Sequence, residues 1–131
     1  MIISENLLKG TGYMSVEKRP FTNYSNKTSK EELEKLEALL AENPDDIHIL
    51  DWVAFTHYSN QNFRRSIELY NLLLDKEPST ASFHYFIANS YYREGLPEKA
   101  KNAWEKAIEL DVKGKFSKKA RQRLAWVDKE D

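Results

Sequence analysis

Pro44 and Pro78 stand 34 residues apart, and the interval recurs between them and beyond. Shifting the chain by 34 places superimposes Val53 on Ile87, Ala54 on Ala88, Tyr58 on Tyr92, Ser66 on Ala100, Tyr70 on Trp104, Leu73 on Ala107 and Leu74 on Ile108. Self-similarity at a fixed period of this size means small supersecondary units that stack, since one unit alone leaves a face uncovered. The 33 residues between the two prolines contain neither glycine nor proline. That stretch suits helices, whose interiors both residues disrupt. Sustained β-branched alternation is scarce, so strands are not expected.

Helix signals divide the repeat further. Ser29 and Glu32 have capping-box spacing ahead of Leu33, Leu36, Leu39 and Leu40, and Glu42-Asn43-Pro44 ends that helix. Asp45-Asp46 can cap a second helix with Ile49, Leu50, Val53 and Ala54, and Ser59-Asn60-Gln61-Asn62 reads as a turn. A third helix carries Phe63, Ile67, Tyr70, Leu73 and Leu74. Ser79-Thr80 caps a fourth with Phe83, Ile87, Ala88 and Tyr91, broken by Gly95-Leu96. Pro97 opens a fifth with Ala100, Trp104, Ala107 and Ile108. After Gly114 a sixth, near 116–128, carries Ala120, Leu124 and Val127. The small residues at 54, 88, 66 and 100 let partner helices approach closely, and the larger ones between them fill the wedge.

These positions resemble the tetratricopeptide repeat family. One unit offers Leu50, Val53, Ala54, His57, Ser66, Tyr70 and Pro78 to that pattern, and the next His84, Ile87, Ala88, Tyr91, Ala100, Trp104 and Val112. His57, His84 and Val112 depart from it without altering helix pairing. The helix over 30–43 fits the second half of an earlier unit. The last helix fits the first half of a later one after a slip of three residues, which sets Leu124 and Ala125 against Val53 and Ala54. The resemblance spans residues 30–128. It implies an all-α fold, a right-handed α-solenoid of antiparallel helix pairs with about six helices. We expect residues 30–131 to form that repeat domain and residues 1–29 an extended N-terminal arm, with Tyr13, Phe21 and Tyr24 as anchors.

In this architecture the first helix of each pair lines a concave groove. The groove places are His48, Asp51, Trp52, Phe55, Tyr58 and Ser59 in one unit, and Ser82, Tyr85, Phe86, Asn89, Tyr92 and Arg93 in the next. The set is rich in aromatics, which dominate binding hot spots. An aromatic wall of this kind would seat a partner peptide or helix. Aromatic stripes at helical spacing also build cores, and Trp52 and Phe86 lie closest to the core face. Some family members clamp an acidic C-terminal tail with lysine, arginine and asparagine. Here Asp51, Phe55 and Phe86 occupy clamp places, only Lys119 and Arg123 match, and chaperone-tail binding is disfavoured.

Twenty basic and 21 acidic residues nearly cancel, to a net charge of −1 over the 131 residues, which disfavours general nucleic-acid binding. The charges are unevenly spread. Residues 30–46 hold seven acids and two bases, and residues 113–123 hold six bases and no acid. That basic end, with Lys118, Lys119, Arg121, Arg123 and Trp126, reads first as solvated capping surface. Sharper readings are head-to-tail self-association, an acidic partner, or an RNA contact. Without cysteine there are no disulfides, thiolate metal sites or cysteine nucleophiles. His48, His57 and His84 show no metal-ligand spacing, and no phosphate loop, dinucleotide motif or nucleophile elbow occurs. No catalysis, cofactor or metal is therefore expected. No apolar run reaches membrane-spanning length and no signal peptide is legible, so a cytoplasmic location is expected; a mature exported protein would read the same way. The expected function is a non-catalytic protein-interaction module (adaptor, scaffold or assembly factor). The alternative is a structural subunit of a larger complex anchored by the arm.

Overall fold

The computed structural model describes residues 28–130. The arm anchors Tyr13, Phe21 and Tyr24 lie outside that range. Among the described residues there are six helices and no strand: α1 (Lys30–Glu42), α2 (Ile47–Ser59), α3 (Phe63–Lys76), α4 (Ala81–Arg93), α5 (Pro97–Leu110) and α6 (Lys115–Glu130). The chain divides into two compact units between Asn62 and Phe63. No helix of the described residues is long and apolar enough to cross a membrane.

In the first unit, α1 starts where its cap predicts. The Ser29 hydroxyl accepts the Glu32 N–H at 3.1 Å, and Glu31 and Glu32 sit in the positively polarised first turn. α1 buries only the stripe Leu36, Leu39 and Leu40. Asn43 closes it, its side-chain amide donating to the Leu39 carbonyl at 3.0 Å. Asp46 caps α2 by accepting from the N–H groups of His48 and Ile49 at 2.9 and 3.2 Å. The turn after α2 places Gln61 at φ 65°, a left-handed conformation that a side chain adopts at some cost.

α1 and α2 are joined by a buried polar link. His57, the departure from an aromatic at its repeat place, is 7% exposed. Its Nε2 lies 2.8 Å from Glu37 Oε2 and its Nδ1 3.2 Å from Asn62 Nδ2. The Asn62 amide donates to Nδ1, so Nε2 carries the hydrogen and donates to the carboxylate. His57→Ala removes the donor and opens a gap. We expect it to cost about 2 kcal/mol in urea unfolding, and Glu37→Gln, which keeps an acceptor, less than half of that.

In the second unit, α4 packs against α3, α5 and α6. Buried side chains occur at Phe83 and along the continuous run Tyr85–Ser90, so α4 is enclosed on every side. α3 and α5 instead bury one stripe each: Ser66, Leu69, Tyr70 and Leu73, and Ala100, Ala103, Trp104 and Ala107. Small residues stand at the close approaches as the repeat demands. Ala88 and Ala100 are 0% exposed, and the Ser66 and Ser90 hydroxyls meet at 3.1 Å. Thr80 holds the cap place of α4 but makes no side-chain cap bond; its hydroxyl turns back to the Glu77 carboxylate at 3.4 Å. Gly95 follows at φ 79°, where glycine ends a helix without strain.

Candidate functional site

On α2, the groove places divide by depth. His48 is exposed and Tyr58 half-buried, whereas Asp51, Trp52 and Phe55 are 2%, 8% and 0% exposed. The Phe55 and Tyr58 rings lie 5.7 Å apart. Around the helix axis Phe55 sits about 160° from His57, the residue that reaches α1. The Phe55 face is thus the one turned away from α1.

On α4, Tyr85 and Phe86 are likewise buried, at 5% and 3%. Phe86 stacks on Tyr70 of α3 with centroids 6.0 Å apart. Asn89 points inward, toward α5, its Oδ1 accepting the Trp104 indole N–H at 2.9 Å. Arg93 is exposed and its guanidinium lies 4.9 Å from the Phe63 ring centroid. The expectation that these aromatics form an exposed wall is therefore corrected for Trp52, Phe55, Tyr85 and Phe86. In each unit the inner helix carries large side chains on several faces, and these rings are taken up by packing instead of facing solvent.

The basic end and part of the aromatic set meet on one surface of the second unit. Phe116, which the sequence did not single out, is half-buried on α6. Its ring lies 5.6 Å from Tyr85 and 5.4 Å from Phe86. The ammonium groups of Lys115 and Lys119 stand 5.7 and 5.5 Å from its centroid, within cation–π range. Farther along, half-buried Tyr92 contacts Trp104 at 5.9 Å and Trp126 edge-on at 5.8 Å. Trp126 is 48% exposed. α4 and α6 thus present three partly open rings, Phe116, Tyr92 and Trp126, with Lys115 and Lys119 beside the first of them.

Lys118 and Arg123 are exposed, Lys119 is half-buried, and Arg121 donates to the Val112 carbonyl at 2.6 Å. Among the described residues no carboxylate lies within ion-pair distance of Lys113, Lys118, Lys119 or Arg121. Chemically this surface offers apolar and cation–π contact plus positive charge. No group of three or more histidine or acidic side chains with metal-holding geometry occurs among the described residues. Phe116 lies one turn before buried Ala120, on the side of α6 that packs inward, and that spacing is its signal in the sequence.

Comparison with known families supplies one match: residues 81–112, the α4–α5 hairpin, fit the model of the tetratricopeptide repeat. Six consecutive helices around that hairpin give an all-α, tetratricopeptide-like fold. No curated protein matches the sequence.

Proposed function

We propose that this tetratricopeptide-like protein is a non-catalytic protein-interaction module, an adaptor, scaffold or assembly factor. Tetratricopeptide repeats generally mediate protein–protein interaction. The partner segment, a peptide or a helix, seats on the α4–α6 surface, with Phe116, Tyr92 and Trp126 as apolar anchors. The observation that carries this reading is the set of partly open rings on α4 and α6, Tyr92 against Trp126 and Phe116 flanked by Lys115 and Lys119. Aromatic side chains supply contact area with few rotors to freeze, and exclude water from the polar contacts around them.

The burial of Phe55 and Tyr85 decides which variants test it. Substituting either perturbs the core, whereas Trp126 is half open. Affinity purification from the native host with mass spectrometry identifies the captured protein. Trp126→Ala and Tyr92→Ala should each weaken its binding by roughly 2 kcal/mol, about thirtyfold. Lys106→Ala, on the exposed side of α5, should not. Unchanged binding by a folded Tyr92→Ala, Trp126→Ala double variant would remove the α4–α6 surface from consideration.

A further inference from the structure

The two helices of the α4–α6 surface lack negative charge over most of their length. No aspartate or glutamate occurs in α4, or in α6 from Lys115 to Val127, and that stretch of α6 holds five bases. The whole chain has a net charge of −1, so the excess is local. Helical geometry sorts it further. At about 100° per residue, Lys115, Phe116, Lys119, Arg123 and Trp126 fall within one stripe about 100° wide along α6. The first acid of α6, Asp128, stands about half a turn round the axis from Lys119. Its carboxylate lies 4.0 Å from the Lys101 ammonium of α5, away from the stripe. Rings mark the two ends of the stripe, Phe116 and Trp126 lying about 15 Å apart along the axis. Basic groups stand beside and between them, Lys119 at 5.5 Å from the Phe116 centroid.

We propose that the occupant of this surface is an acidic segment of another protein, with two apolar side chains that meet Phe116 and Trp126 and aspartates or glutamates between them. The inference rests on reading the α4–α6 surface as the docking site, and it adds the chemistry of what docks. Rings alone accept any apolar segment. Positive charge that the stripe leaves without an acid of its own selects against neutral and basic ones. The spacing constrains the segment as well: 15 Å is about four or five residues of extended chain, or about ten of helix. The bases are spread over about three turns rather than gathered at one point, so the acids they meet are side chains within a segment, with no terminal carboxyl required. Three bases in the stripe are few for a phosphate backbone, whose readers commonly neutralise about six charges or more.

Panning a library of random peptides of about sixteen residues on the full chain tests the proposal. Enriched peptides should carry about three more acids than bases, with leucine or aromatic residues at one of the two spacings. The best of them, labelled and titrated, should bind roughly tenfold more weakly to the variant Lys115→Gln, Lys119→Gln, Arg123→Gln. Lys99→Gln with Lys106→Gln, on the exposed side of α5, should leave binding unchanged. Circular dichroism checks that the triple variant folds, and a salt series on the unaltered protein needs no variant: affinity should fall several-fold between about 50 and about 300 mM salt. Neutral or basic enriched peptides, no enrichment, or acidic peptides indifferent to salt and to the triple variant would each overturn the proposal. So would oligouridylate binding more tightly than the peptides at the same residues, or a homodimer that shuts the peptides out. Neutral peptides that still need Tyr92 and Trp126 would leave the docking surface standing without its acidic occupant. Acidic peptides held equally by the Tyr92→Ala, Trp126→Ala variant would instead remove the rings as anchors.

Discussion

Trp104→Ala should lower the unfolding free energy of the protein by about 4 kcal/mol, the largest single effect we expect. Trp104 is 1% exposed and is the bulkiest fully buried side chain among the described residues. Its ring carries Tyr92 on one side, and its indole N–H satisfies the buried Asn89 amide oxygen. Truncation therefore removes packing, leaves a cavity and strips Asn89 of a donor together. Trp104→Phe separates these contributions. It keeps much of the volume but not the donor, and should cost roughly half as much. Urea unfolding of the two variants, followed by circular dichroism, measures both. Equal losses would mean that the Trp104–Asn89 bond rather than the packing carries the effect, and an unaltered stability in Trp104→Phe that the bond contributes little.

The second large effect runs the other way in volume. Ala88 and Ala100 are both 0% exposed, at the positions where the repeat requires helices to approach closely. Ala88→Leu or Ala100→Leu forces three extra carbons into space that backbone already occupies. Each should destabilise by about 3 kcal/mol. The same change at Ala38, exposed on α1, should fall within about 0.5 kcal/mol of zero. Tolerance of leucine at both buried sites would mean that the helices stand farther apart than the small-residue pattern implies.

Helix boundaries were legible because caps and breakers are local chemistry. Ser29, Asp46, Pro97 and Gly95 each act within one turn of their own position, and each stands where the sequence places it. Thr80 shows the limit, since its hydroxyl had a competing acceptor in Glu77 that spacing alone does not reveal. The faces of α1, α3 and α5 were legible too, because charged residues mark their solvent side. For α2 and α4 the pattern falls silent. Their sequences are apolar nearly all round, so periodicity identifies a buried helix without saying which side looks outward. That is why spacing sets Trp52, Phe55, Tyr85 and Phe86 on an open wall that the fold does not build. Asn89 escapes spacing for the same reason: its partner, Trp104, is 15 residues away on another helix. The meeting of Phe116 and Lys119 with Tyr85 and Phe86 is a tertiary event, set by how α6 returns across α4.

The hydroxyl pair Ser66–Ser90 has a consequence for how α3 and α4 find their alignment. Repetitive apolar helices fit one another almost as well when displaced along their length by a turn, about 5.4 Å. Such a displacement would part the two serines and leave Ser66 stranded in hydrocarbon, while Ser90 still donates to the Phe86 carbonyl. A single polar contact of this sort works as an index mark: it adds little to the depth of the correct alignment and raises the neighbouring ones above it.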